Sequence, residues 1–246
     1  GRDAAKLIEL EHGFIRSMGL GADCVPPLSI VVDRLGVHFD ATQPSDLEGL
    51  LEYGTFCDEV LDRARDLRQI IVCSGVSKYG SGSAKLPRRV ADRRHVLVLG
   101  QVEDDRAVLN GGSPFIGNMD LLKRARSDAP DAYIIYKPHP DVEAGHRIGR
   151  IPERDCLEVA DEVVRDQPIS ALIDLVDEVH VNTSLAGFEA LAVHRLSFEN
   201  ALFLPFAAAV GADGAVGMPD YLVSMRRNES VAISHQSNLL YVGRKN

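Results

Sequence analysis

Two rhythms of apolar residues run along this chain, and each points to a different element. Leu28–Val32 and Val37–Phe39 are β-branched or aromatic runs flanking Asp33-Arg34-Leu35-Gly36. Two such runs around a Gly-containing turn predict a hairpin. Ala4–Glu11 is a short apolar segment that ends on the charged tip Glu11-His12-Gly13. Pro44-Ser45-Asp46 carries a helix-start signal, and the spacing predicts a second, longer helix over Asp58–Val72. Lys78–Arg89 is rich in Gly, Ser, Lys and Pro and reads as a linker or mobile loop.

From residue 95 the pattern changes. His95–Leu99, Ala132–Tyr136 and Glu178–Val181 are short apolar runs of strand length. Asn118–Ser127 is amphipathic with its basic residues late, and Ile169–Val176 and Leu185–Ala192 also read as helices. Strands and helices alternating at this spacing predict βαβ units and a Rossmann-like parallel sheet of an α/β fold. The chain divides on this reading into an N-terminal region of hairpin and helices (1–90), a Rossmann-like unit (91–194) and a C-terminal tail (195–246) without readable periodicity. Ligands of open α/β sheets bind beyond the carboxyl ends of the strands. Gln101, Lys137–His139 and Asn182–Ser184 each follow a strand and are expected on one edge of the sheet.

The chemistry at these ends has two readings apiece. In Lys137-Pro138-His139-Pro140 the prolines fix the backbone, so Lys137 and His139 become pre-oriented donors suited to a phosphate. The same segment also serves as a rigid turn whose histidine caps a neighbour. Thr183 or Ser184 fits the cap of the helix that follows. The same helix start, with its free N–H groups, fits an anion. Glu189, one turn in, accepts from a ribose hydroxyl or lies exposed. Glu103-Asp104-Asp105 reads as a metal-binding trio or a solvated acidic loop, and its spacing is diagnostic of no metal. There is no GxGxxG and no P-loop; Gly80–Lys85 lacks the required spacing.

Composition narrows the class. The chain has 246 residues, 45% hydrophobic and 26% charged, an ordinary globular mixture. A net charge of -9 lacks the basic footprint of a nucleic-acid binder, and the absence of Trp argues against stacking platforms for single strands. Cysteines 24, 57, 73 and 156 form no CxxC pair, which reads as reduced thiols of a cytoplasmic protein rather than zinc ligands or a disulfide framework. No run approaches the roughly 18 apolar residues of a membrane span. No signal peptide is visible, and a start on Gly1 reads as trimmed or fragmentary.

Four stretches together resemble the capsule polysaccharide synthesis family, whose members include bacterial retaining β-Kdo transferases. They are Glu11–Ser17 with Gly19–Asp23 and Pro26–Leu28; Gly100–Asp105; Tyr136–Arg147; and Thr183–Leu191. The resemblance covers residues 6 to 194 and is most specific in KPHPDVEAGHR and TSLAGFEAL. It implies the nucleotide-binding half of a GT-B-type glycosyltransferase with a partial acceptor-side region. It further implies transfer of the acidic sugar Kdo from CMP-Kdo to a lipid-linked saccharide, without a separate cofactor. By the same resemblance, Gln101, Lys137, His139, Pro140, Thr183, Ser184 and Glu189 hold the donor nucleotide. The expected place of work is the cytoplasmic face of the inner membrane, beside other capsule assembly proteins. The family's acidic motif is usually Glu-Asp-Gly-Phe, and a carboxylate in this region is thought to act as the nucleophile. Here the motif is Glu11-His12-Gly13-Phe14, so Glu11 and His12 are the candidate catalytic positions. An imidazole cannot replace a carboxylate in that role, and the departure implies donor binding with weak or absent transfer. The family's aromatic and Gly-rich continuation beyond residue 195 is not found.

Overall fold

A computed structural model describes residues 9–13, 29–40, 43–74, 85–111, 117–193, 222–234 and 239–244. The first elements form a small ribbon. Strand β1 (Glu9–His12) pairs antiparallel with β2 (Ile30–Asp33), with Glu11 opposite Val31 and His12 opposite Ile30. The expected partner of β2, Val37–Phe39, is not a strand; Val37 and Phe39 are buried loop residues instead. Asp33 ends the strand. Its carboxylate accepts from the N–H groups of Leu35 and Gly36 at 3.0 Å, and from Asp46 at 2.9 Å. Burial pushes the Asp33 carboxyl up, but these backbone donors outweigh it and hold it below its usual value. A side chain that gathers so many donors turns the chain away from pairing, because local carboxylate–backbone bonds compete with a ladder.

Helix α1 (Asp46–Tyr53) starts where the sequence places it. Ser45 accepts from Glu48 N at 3.1 Å and Glu48 Oε2 accepts from Ser45 N at 2.9 Å, a reciprocal capping box. Helix α2 follows over Asp58–Ser74. The stretch 78–84 of the expected linker lies outside the described residues, and 85–90 has no regular structure.

The main sheet then builds in alternation. Its elements are β3 (His95–Leu99), α3 (Arg106–Gly111), α4 (Asn118–Asp128), β4 (Tyr133–Lys137), α5 (Pro140–Glu143), α6 (Glu153–Leu157), β5 (Glu162–Val163), α7 (Ile169–Leu175), β6 (Glu178–Val181) and α8 (Ala186–Val193). Strands β7 (Leu222–Ser234) and β8 (Leu239–Arg244) complete it. The order is β5-β4-β3-β6-β7-β8; β5, β4, β3 and β6 are mutually parallel, and β7 runs antiparallel to β6. The tail therefore contributes two strands that no periodicity in the sequence announces. Its central polar run, Arg226–Ser230, breaks the alternation on which a strand reading depends.

The core lies on both faces of the parallel strands, as in a doubly wound sheet. One layer packs Leu97, Leu99, Ile135, Val179 and Val181 against Leu172 and Ile173 of α7 and Ala190 of α8. The other packs Val96, Val98, Ile134 and Tyr136 against Leu121, Leu122 and Ala125 of α4 and Cys156 of α6. Strand β3 is buried along its whole length. Each of its four aliphatic side chains contributes about 1.5–3 kcal/mol by leaving water. Two-faced burial is why this strand reads as a continuous apolar run rather than an alternating one.

Candidate functional site

The carboxyl ends of β3, β4 and β6 meet at one edge of the sheet, and their side chains decide what that edge offers. Gly100 follows β3. Its N–H donates to Lys137 O at 2.9 Å, joining the first two strand ends. A side chain at Gly100 would press on the Tyr136 hydroxyl at 2.5 Å and Pro138 Cα at 3.2 Å, so this close approach needs glycine.

Gln101 joins the third strand. Its Oε1 accepts from Asn182 N at 2.7 Å and Thr183 N at 2.9 Å, while its Nε2 donates to Thr183 Oγ1 at 2.8 Å. Gln101 and Thr183 are both buried. The backbone of Gln101 is held in turn by Asn118, the first residue of α4. Asn118 Oδ1 accepts from Gln101 N at 2.7 Å, and its Nδ2 donates to Gln101 O at 2.7 Å and Gly149 O at 2.8 Å. Asn118 N donates to Glu103 Oε1 at 2.7 Å. Sequence reasoning placed Asn118 only as a helix start; the Gly117-Asn118 opening of that helix was the available signal.

Lys137 ends β4 almost fully buried, its ammonium donating to the carbonyl of Arg165. Burial lowers its pKa to about 8, against the raising influence of Asp166 and Glu143. Arg165 itself pairs with Glu143 and, at 2.9 Å, with Glu153. His139 is the N-cap of α5, and its Nδ1 accepts from Asp141 N at 3.2 Å. An Nδ1 that accepts leaves the proton of a neutral imidazole on Nε2. Pro140 opens α5, where its missing N–H is no loss. Asp141 Oδ1 and Asn182 Oδ1 are buried acceptors with no hydrogen-bond partner among the described residues. Such atoms are costly in a finished core and are satisfied by a ligand or water.

Thr183, Ser184 and Glu189 lie at and just inside the start of α8. Ser184 Oγ accepts from Ala186 N at 3.3 Å, which makes it the local cap. Glu189 is partly buried. The three acidic residues after β3 are engaged within the fold: Glu103 with Asn118, Asp104 with Arg147 at 3.0 Å, and Asp105 with Ala107 N at 2.9 Å. Glu11 and His12 lie on the β1–β2 ribbon, a sheet separate from the one whose strands end at this edge. As adjacent strand residues they point to opposite faces. Glu11 Oε1 accepts from His12 N at 2.7 Å. Burial lowers the pKa of His38, opposed by the charges of Glu11 and Asp33 nearby.

A family model described as "Capsule polysaccharide biosynthesis protein" matches residues 2–88 and 82–198. The chain belongs to this family. Capsule polysaccharide modification protein LipA of Neisseria meningitidis serogroup B is 42% identical over 205 residues, 83% of this chain and 29% of that protein. Lipopolysaccharide-processing protein LpsZ of Rhizobium meliloti is 41% identical over 194 residues, 77% of this chain and 44% of that protein. This capsule-family chain thus spans less than half the length of these curated relatives. Two solved structures share its fold, both from Thermosulfurimonas dismutans KpsC. The β-Kdo 2,7 transferase gives a TM-score of 0.62 at 36% identity, covering 78% of this chain and 56% of that one. The β-Kdo 2,4 transferase gives 0.65 at 32% identity, covering 76% and 58%. A fold shared with glycosyltransferase chains agrees with the Rossmann-like, GT-B-half architecture expected from the sequence. No helix among the described residues is long and apolar enough to cross a membrane.

Proposed function

We propose that this chain carries the donor-binding edge of a Kdo transferase of capsule synthesis. In this reading CMP-Kdo lies across the ends of β3, β4 and β6, and Kdo passes to a lipid-linked saccharide. The observation that carries it is the union of the Gln101, Lys137–Pro140 and Asn182–Ser184 segments at one sheet edge, through hydrogen bonds between strand ends. Donors gathered there suit a phosphate: the Lys137 ammonium, the His139 ring and the start of α8 stabilise negative charge on a departing CMP. The kinship with named β-Kdo transferases supports the same class of sugar.

A second reading, donor binding without transfer, is favoured by His12. That position holds Asp in the family motif, and Glu11 points to the other face of β1. Two measurements separate the readings. Calorimetric titration with CMP and CMP-Kdo is expected to show binding. Mass spectrometry then looks for Kdo on acceptor or protein, for the chain as it stands and for His12→Asp. A gain of transfer in His12→Asp supports the second reading; equal transfer by both chains returns the first. No binding of either nucleotide refutes the donor site altogether.

A further inference from the structure

We infer that Gln101 is a positioning residue that sets the direction in which the Thr183 hydroxyl donates, committing that hydroxyl to an anionic acceptor. The inference rests on the donor-site reading and deepens it. The carboxamide of Gln101 has one acceptor end and one donor end. Two backbone N–H groups, those of Asn182 and Thr183, converge on one atom of it at 2.7 and 2.9 Å. A backbone N–H only donates, so the atom they meet is the oxygen, and the amide has a single allowed orientation. The other end, Nε2, lies 2.8 Å from Thr183 Oγ1 and can only donate. Thr183 Oγ1 is therefore an acceptor within the fold. Its own O–H proton must point elsewhere, and no acceptor for it is found among the described residues.

The arrangement is stiff at both ends. Asn118 holds the N–H and the C=O of Gln101 at 2.7 Å each, so the backbone that carries the carboxamide cannot rotate without breaking both bonds. Thr183 and Gln101 are both buried, which limits the solvent that competes with Gln101 for the Thr183 hydroxyl. The result is a chain of fixed direction: two backbone donors into Gln101, Gln101 into Thr183, and Thr183 outward at the start of α8. A hydroxyl obliged to donate discriminates in favour of an acceptor-only group such as a phosphate oxygen. The neighbouring Ser184 Oγ likewise accepts within the fold, from Ala186 N at 3.3 Å, but only Thr183 has its acceptor role set by Gln101.

Gln101→Glu tests this directly. The carboxylate keeps both backbone N–H partners but has no donor for Thr183 Oγ1. The Thr183 proton then turns inward to the carboxylate and is lost to the ligand. CMP and cytidine are titrated into the full chain and into Gln101→Glu, Thr183→Val, Thr183→Ser and the double variant Gln101→Glu/Thr183→Val. Gln101→Glu and Thr183→Val are each expected to weaken CMP roughly tenfold to a hundredfold, the range for a hydrogen bond to a charged group. Cytidine, which lacks the phosphate, should change by no more than about twofold, and Thr183→Ser should keep CMP binding. The double variant should be no weaker than the worse single one, because both remove the same proton donor. Additive losses mean that Gln101→Glu acts by simple charge repulsion, and they overturn the proposal, as does an equal loss for cytidine. Should Gln101→Glu not fold, Thr183→Val with Thr183→Ser still decides: CMP binding unchanged in Thr183→Val refutes the role of the hydroxyl. Absence of CMP binding by the unaltered chain sinks the donor-site reading itself, and this one with it.

Discussion

Asn118→Ala is expected to destabilise the fold by about 3 kcal/mol, at about 1 kcal/mol for each of three side-chain hydrogen bonds removed. The three bonds are those to Gln101 N, Gln101 O and Gly149 O, at 2.7, 2.7 and 2.8 Å. Asn118 is 4% exposed, so the groups it leaves behind do not simply rehydrate. Each orphaned group costs about 1–3 kcal/mol, which sets the upper side; a water entering the vacated space sets the lower. Gly149 cannot adapt by a side chain of its own. It holds φ +122° and lies against Asn118 Nδ2 and Gln101 O. Asn118→Asp sharpens the test. A carboxylate still accepts from Gln101 N but cannot donate to either carbonyl, and it faces two carbonyl oxygens at close range. It should therefore cost at least as much as Ala. Equilibrium urea unfolding measures both, read as a shift in midpoint at constant slope. A domain with about 5–15 kcal/mol of stability shows such a loss clearly. An Asn118→Ala variant within about 1 kcal/mol of the parent would refute the reasoning, as would Asp stabilising the site as well as Asn does.

Three further outcomes follow from charged groups held inside the fold. Glu178 and His180 are fully buried and bonded at 2.7 Å, with Arg94 3.4 Å from the second Glu178 oxygen; Glu178→Leu should cost about 3 kcal/mol in urea unfolding, by stranding its partners. Burial raises the pKa of Asp161, but the Ile134 N–H and the guanidinium groups of Arg126 and Arg93 more than offset it and hold it below 3.8. Its stabilisation is present above that value and is lost as pH falls through the depressed one, so unfolding curves for Asp161→Asn should lose stability less steeply below about pH 4. Lys137 has the opposite sign: its pKa falls from 10.5 to about 8, so stability should rise between those two values, where the unfolded chain binds the extra proton. The rise is worth about 3 kcal/mol at most, and a Lys137→Met variant that still shows all of it would exclude Lys137 as the source.

Much of the central sheet is legible from residue order alone. Strand β3 matches its apolar run residue for residue, and α1 begins at its Ser45 cap. The family stretches name the strand ends correctly because Gly, Pro and hydroxyl residues punctuate them. The pairing of the ribbon is not legible. The turn-like Asp33–Gly36 points to a neighbour on its C-terminal side, yet the partner of β2 is β1, eighteen residues back from Ile30 at His12. Asp33 uses its carboxylate to bind Asp46 and Leu47 across the loop, a long-range choice that no local window contains. Lys137 shows the same limit at the site. Its position at a strand end is plain from sequence; that burial and the Arg165 carbonyl engage its ammonium is not.

The sequence by itself determined the fold class and the three segments that follow the parallel strands, because periodicity and turn residues are local properties, and its longer motifs carried the family resemblance. Only the tertiary structure decided how those segments use their atoms. It gave Gln101 the task of joining β3 to β6, made Asn118 its support, and set Glu11 and His12 on a different sheet. The physical reason is that a hydrogen bond's direction depends on which donors converge on an atom. In Gln101 those donors come from residues 81 and 82 positions away.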